Sequence, residues 1–133
     1  MQRSRNNLVL RNDDYEIIQS YLRSSYLKHS FDRKNAEELK LELKRAKLVS
    51  PDKFPADVVR LNSKVKIRED NKDKVFEFIV VTPEKADIKA GKISVMAPIG
   101  SALIGFREGQ KVKWQVPSGN KTFIIMEVSN HIE

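Results

Sequence analysis

The chain has 133 residues, with 25 Lys and Arg against 18 Asp and Glu, a net charge of +7, no Cys and 40% hydrophobic residues. That length suits one domain, or one small domain with an appendage, and the apolar fraction is too large for a disordered chain. No stretch reaches the roughly 20 apolar residues that span a bilayer, no signal-peptide-like apolar run follows the basic start, and without Cys there is no disulfide, thiolate metal site or thiol nucleophile.

The first apolar run is Leu8-Val9-Leu10, a strand or an arm that packs on a helix. Asn12, Asp13 and Asp14 follow, and acids there suit the positive end of a helix dipole. Tyr15, Ile18, Leu22 and Tyr26 then recur at three- and four-residue spacings, which predicts a helix over 13–26. A polar segment around His29 interrupts the pattern. Asn35 with Glu38 makes a capping-box-like start, and the apolar stripe of Ala36, Leu39, Leu43 and Ala46 predicts a second helix over 35–48. Two short helices with a brief connection should pair antiparallel.

Pro51 and Pro55 end the helical part and hold an extended linker over 50–57. Beyond it the period changes to two, and all five Gly lie at or beyond Gly91. Val58, Val59, Leu61, Val65 and Ile67 lead to a turn at Asn71-Lys72-Asp73, and Val75–Val81 is a strongly β-prone run, so a hairpin is expected. Ile93–Met96 reads as a third strand, Ile99–Ile104 as a helical turn capped by Gly105, and Lys111–Val116 and Thr122–Val128 as a final hairpin around Pro117–Asn120. The fold class is therefore α+β: a short antiparallel two-helix N-terminal arm over 1–49, the linker, and over 58–133 a sheet of about five mostly antiparallel strands with one short helix.

The positive surplus is spread along the chain. Residues 1–57 carry 12 basic and 9 acidic residues, and residues 58–133 carry 13 and 9. A dedicated nucleic-acid binder concentrates its cations, so weak or no direct nucleic-acid binding is expected. The catalytic inventory is equally thin. His29, Ser30 and Asp32 include triad residue types but sit close together in an exposed connection. His29 and His131 are not spaced for a metal. Asp13-Asp14 and Glu37-Glu38 could in principle hold Mg²⁺, although helix-start effects account for both. Trp114 alternates with Lys113 and Gln115 and reads as a core residue. No catalytic, cofactor or metal residue is assigned.

One segment is more specific: Gly91-Lys92-Ile93-Ser94-Val95-Met96-Ala97-Pro98-Ile99-Gly100-Ser101-Ala102-Leu103-Ile104-Gly105, followed by Phe106-Arg107-Glu108-Gly109-Gln110. It resembles the signature of the C-terminal domain of the GreA/GreB transcription elongation factors, departing from it at Met96-Ala97-Pro98, where those factors commonly have Asn-Ser-Pro. Upstream, Ser50–Val59 and Asn62-Ser63-Lys64-Val65-Lys66 look like the branch that contains the regulators of nucleoside diphosphate kinase (Rnk). The resemblance covers about 50–130; the first 50 residues match in layout more than in sequence.

The resemblance implies an FKBP-like sheet domain and a partner, bacterial RNA polymerase, bound at the rim of its secondary channel; the lack of Cys and of a signal-type run points to the cytoplasm, and a monomer is expected. The docking candidates it implies are Met96, Ala97, Pro98, Ile99 and Gly100, although Ile99, Leu103 and Ile104 also read as core. Gre factors carry an acidic pair at the tip of a long coiled coil, which helps to hold a second Mg²⁺ for transcript cleavage. Here the arm tip, around His29, Asp32 and Arg33, has one acid among three strong bases, and the arm is several turns shorter. The expectation is a polymerase-binding regulator that is not an enzyme and does not stimulate cleavage. Direct nucleic-acid binding and an FKBP-like prolyl isomerase are the alternatives.

Overall fold

The computed structural model describes residues 8–24, 37, 39–116 and 119–130. The expectations for His29, Asp32, Arg33, His131, the Asn35–Glu38 pair and the Trp114 side chain lie outside what is described. Leu8-Val9-Leu10 does enter a strand. β1 (Val9–Arg11) runs straight into α1 (Asn12–Ser24). Helix α1 buries Ile18 and Leu22, four residues apart, and leaves Glu16 and Ser20 in solvent, as the spacing predicts. A second helical segment, α2 (residues 39–44), buries Leu39 and Leu43 and exposes Lys40 and Lys44.

The second helix ends before the expected residue 48, because Lys47–Val49 form strand β2. Its residues lie parallel to β1, with Val9 opposite Lys47 and Arg11 opposite Val49. The helix tightens as it closes: the Arg45 and Ala46 amides donate to the carbonyls of Glu42 and Leu43, at 3.1 and 3.2 Å. The Lys47 amide then donates to the Leu8 carbonyl at 2.7 Å. Pairing with β1 satisfies the backbone groups released by the helix, and Pro51 would have stopped the helix shortly afterwards.

Five strands make the main sheet: β3 (Lys64–Glu69), β4 (Val75–Val81), β5 (Lys92–Ser94), β6 (Lys111–Val116) and β7 (Gly119–Ser129), in the order β5-β4-β3-β7-β6. β3 pairs antiparallel with β4 and β7, β6 antiparallel with β7, and β5 parallel with β4. The mostly antiparallel five-stranded sheet with one short helix, α3 (Pro98–Leu103), is thus as the sequence pattern predicts. Val58, Val59 and Leu61 are buried but precede the sheet. Asn62 adopts a left-handed backbone (φ 73°), which breaks the extended run before β3 begins.

Strict alternation along β7 would place Glu127 beside Phe123 and Ile125 in the core. A register shift between Lys66 and Ile67 of β3 prevents this: Glu127 opposes Lys66 while Ile125 opposes Ile67, and Met126 is the extra residue. The bulge lets Ile125 and Val128 both face inward and leaves Met126 and Glu127 exposed. On the core side of β4, the Phe76 and Phe78 rings stack with centroids 6.2 Å apart, next to Val65 and Ile67 of β3 in register. The core is a single apolar cluster. Leu8, Leu10, Ile18, Leu22, Leu39 and Leu43 join Val65, Ile67, Val80, Leu103, Ile104 and Ile125 in it.

The end of β7 closes the fold. The Asn130 amide donates to the carbonyls of Ala56 (2.8 Å) and Val58 (3.0 Å), and its side-chain oxygen accepts from the Ser63 hydroxyl. One side chain therefore ties the proline segment to the last strand. Replacing it (Asn130→Ala) leaves these groups without their partner, and thermal unfolding should show a loss of about 1–2 kcal/mol.

Candidate functional site

The segment from β5 to α3 holds the residues that carry the resemblance. β5 lies against Ile79, Val80 and Val81 of β4. Its last residue, Ser94, organises the turn: its hydroxyl accepts the Met96 amide (2.9 Å) and its carbonyl accepts the Ala97 amide (3.0 Å). Pro98 occupies the first turn of α3, where a missing amide hydrogen costs nothing. The Ser101 amide donates to the Ala97 carbonyl at 2.9 Å.

Gly100 is where α3 meets the end of β5. A Cβ built there would lie 2.0 Å from the Ser94 carbonyl oxygen and 2.9 Å from its carbon, so no larger residue fits without moving backbone. Gly100 is buried, whereas Met96, Ala97 and Ile99 are partly exposed, and Met96 and Ile99 also pack against the core. Ala102, Leu103 and Ile104 are fully buried. The turn therefore offers a small surface of Met96, Ala97 and Ile99 on a rigid base.

Gly105 was expected to cap the helix, and it does something else. The Phe106 amide donates to the Leu103 carbonyl at 3.1 Å, with Ile104 extended (φ −57°, ψ 131°) and Gly105 left-handed (φ 84°). This is a type II turn, whose third residue needs positive φ. The Gly105 amide donates to Val59 (2.9 Å) and the Val59 amide donates to Phe106 (2.8 Å). Leu8 lies over Gly105, where a Cβ would come within 1.8 Å of its Cδ1. Arg107 pairs with Asp57 at 3.3 Å. The proline segment and the N-terminal strand are thereby fastened to the turn after α3.

A family model described as transcription elongation factor GreA/GreB, C-terminal, matches residues 54–130, more than half of the chain. The chain belongs to the GreA/GreB family. Over 89 residues it is 40% identical to the regulator of nucleoside diphosphate kinase from Escherichia coli strain K12, which covers 67% of this chain and 65% of that relative. Over 102 residues it is 34% identical to the elongation factor GreA of Thermodesulfovibrio yellowstonii, covering 77% of this chain and 65% of the relative. The match thus spans just under two thirds of these curated relatives. A solved GreA/GreB factor from Nitrosomonas europaea has a TM-score of 0.78 at 30% identity, over 95% of this chain and 100% of that one. These relatives are elongation factors and a regulator, and none is named as an enzyme.

Two contacts that link α1 to the rest of this GreA/GreB-family chain went unnoticed in the sequence pattern. The Arg60 guanidinium donates twice to Asp14, Nε to Oδ2 and a terminal nitrogen to Oδ1, both at 3.0 Å. The side chains are 10% and 1% exposed. Asp14 thus turns inward to an arginine. Asp13 pairs with Arg11, with the Arg11 Nε 2.9 Å from Oδ1, and that hydrogen bond holds the Asp13 carboxyl below the usual range. The Asp13-Asp14 pair once open to Mg²⁺ is committed to two arginines. Among the described residues, no group of three His, Asp or Glu could hold a metal ion. No helix among them is long and apolar enough to cross a membrane.

The second contact is exposed. The Tyr21 hydroxyl donates to Glu84, and the Thr82 hydroxyl donates to its other oxygen at 2.7 Å. Tyr21 first, then Thr82, holds the Glu84 carboxyl below the usual range, and the same Glu84 bond pushes the Tyr21 phenol up. The contact therefore stabilises fully from the ordinary carboxylate range to the ordinary phenol range. It fades as pH falls through the lowered Glu84 value and as pH rises through the raised Tyr21 value. Denaturant unfolding of Tyr21→Phe against the parent should show the largest difference near neutrality and convergence in strong acid and strong base.

Part of the charge on the sheet's outer face is paired. Lys64 lies 3.7 Å from Glu77, and Lys66 lies 4.0 Å from Glu77 and 3.3 Å from Glu127. Such exposed pairs contribute about 0–1 kcal/mol each.

Proposed function

We propose that the chain is a transcription regulator that binds RNA polymerase near its secondary channel through the sheet unit and does not stimulate transcript cleavage. The observation that carries this reading is that the family match, residues 54–130, falls on the sheet unit and leaves the arm outside it. On this reading residues 1–49 are an arm, 50–57 a linker and 58–133 an FKBP-like docking domain. Met96, Ala97 and Ile99 touch the polymerase; Pro98 and Gly100 shape the turn that presents them.

Reach and charge argue against cleavage. Helix α1 has 13 residues, about 20 Å at 1.5 Å per residue. The twelve residues 25–36 precede the second helical part, and out and back they add at most about 20 Å even when fully extended. At the arm tip Asp32 is flanked by Arg33 and Lys34, with His29 nearby, so the connection between the helices carries one carboxylate rather than the pair that shares a metal.

Stalled elongation complexes provide the test. Added alone, the chain should leave transcripts uncut, and added in excess it should slow cleavage driven by a GreA-type factor. Cleavage above background in its presence, or no effect on the GreA-driven reaction, would reject the reading.

A further inference from the structure

We propose that Asp14 and Arg60 are positioning residues, which set the heading of α1 relative to the sheet unit. A buried ion pair is weak evidence for stability, because apolar residues of similar volume often do as well or better. What the pair supplies is direction. A planar guanidinium with two parallel hydrogen bonds to one carboxylate accepts a narrow range of geometry, whereas apolar side chains can slide.

The structure supports both ends of this pair. The Arg60 amide donates to the Ser63 hydroxyl oxygen at 2.8 Å, and the Ser63 hydroxyl is itself bonded to Asn130. Arg60 is therefore anchored to the sheet side of the molecule. Asp14 lies in the first turn of α1. Tyr21, seven residues later, makes the second polar contact, to Glu84. Seven residues are almost two helical turns, so both contacts lie on nearly the same face, about 10 Å apart. Ile18 and Leu22 already hold α1 to the core, but an apolar contact fixes its axis less sharply than two polar contacts do. Two on one face define its axis, and of the two only the Asp14–Arg60 pair is buried and bidentate.

The use of this heading at the polymerase rests on the function proposed above, but the heading itself can be measured without polymerase. The natural chain has no Cys, so Glu16→Cys on α1 and Lys113→Cys on β6, both exposed, can carry two nitroxide labels. The distance distribution between them is read in the full chain by pulsed electron resonance. The parent pair should give one narrow maximum. With Asp14→Leu and Arg60→Met together, the chain should keep its circular dichroism and melting temperature while the distribution broadens or shifts. Arg60→Lys, which keeps the charge and loses the fork, should fall between. A narrow, unshifted distribution in the apolar double variant would overturn the proposal. So would its failure to fold, since the pair would then serve stability rather than direction. A broadened distribution in a variant whose parent shows no polymerase binding would uphold the heading and reject only the proposed function.

Discussion

Arg60→Met alone should cost about 3–5 kcal/mol, read as a lower urea midpoint at an unchanged slope. The Asp14 carboxylate is 1% exposed, so removal of the guanidinium takes two hydrogen bonds from a charge that water scarcely reaches. Adding Asp14→Leu removes that orphaned charge and should restore most of the loss, because two apolar groups can then fill the space. The two changes should therefore be strongly non-additive, as expected of residues in direct contact. A loss below about 1 kcal/mol for Arg60→Met would put the pair in the class of ordinary surface ion pairs and contradict the burial seen here.

Gly100→Ala should cost about 3 kcal/mol, at the upper end for an overpacked site. Its added methyl would meet the Ser94 carbonyl at 2.0 Å, and a strand-end backbone cannot step aside as a flexible side chain can. Either α3 lifts away from β5 or the Ser94 turn opens, and both disturb Met96, Ala97 and Ile99. Amide exchange over 94–104 should accelerate along with the fall in unfolding temperature. Parent-like stability would mean that α3 and β5 do not approach so closely.

Much of the fold was legible because the pattern of the sheet region is strong. Val75–Val81 and Lys111–Val116 alternate or run β-prone between turn residues, and each became a strand of that extent. What was missed depended on partners distant in sequence. Lys47-Leu48-Val49 continues a helical register, and only the presence of β1 makes it a strand. The Glu127 and Val128 positions depend on a bulge set by β3, which nothing in β7 announces. Asp14 beside Asp13 reads as a helix-start acid, and only the fold brings Arg60, 46 residues away, to its carboxylate. Gly105 reads as a helix cap, but its place in a type II turn and its bond to Val59 required the two segments to be side by side. In the candidate docking segment, the resemblance pointed to Met96–Gly100, while the division between partly exposed Met96, Ala97 and Ile99 and buried Gly100 came from how closely α3 packs on β5.

Equilibrium titration of the fluorescently labelled full chain with core RNA polymerase, followed by displacement with unlabelled GreA, is the most direct test. Saturable binding that GreA reverses, with one bound chain per polymerase, is the predicted result. No binding, or binding that GreA leaves untouched while DNA alone removes it, would contradict the assignment.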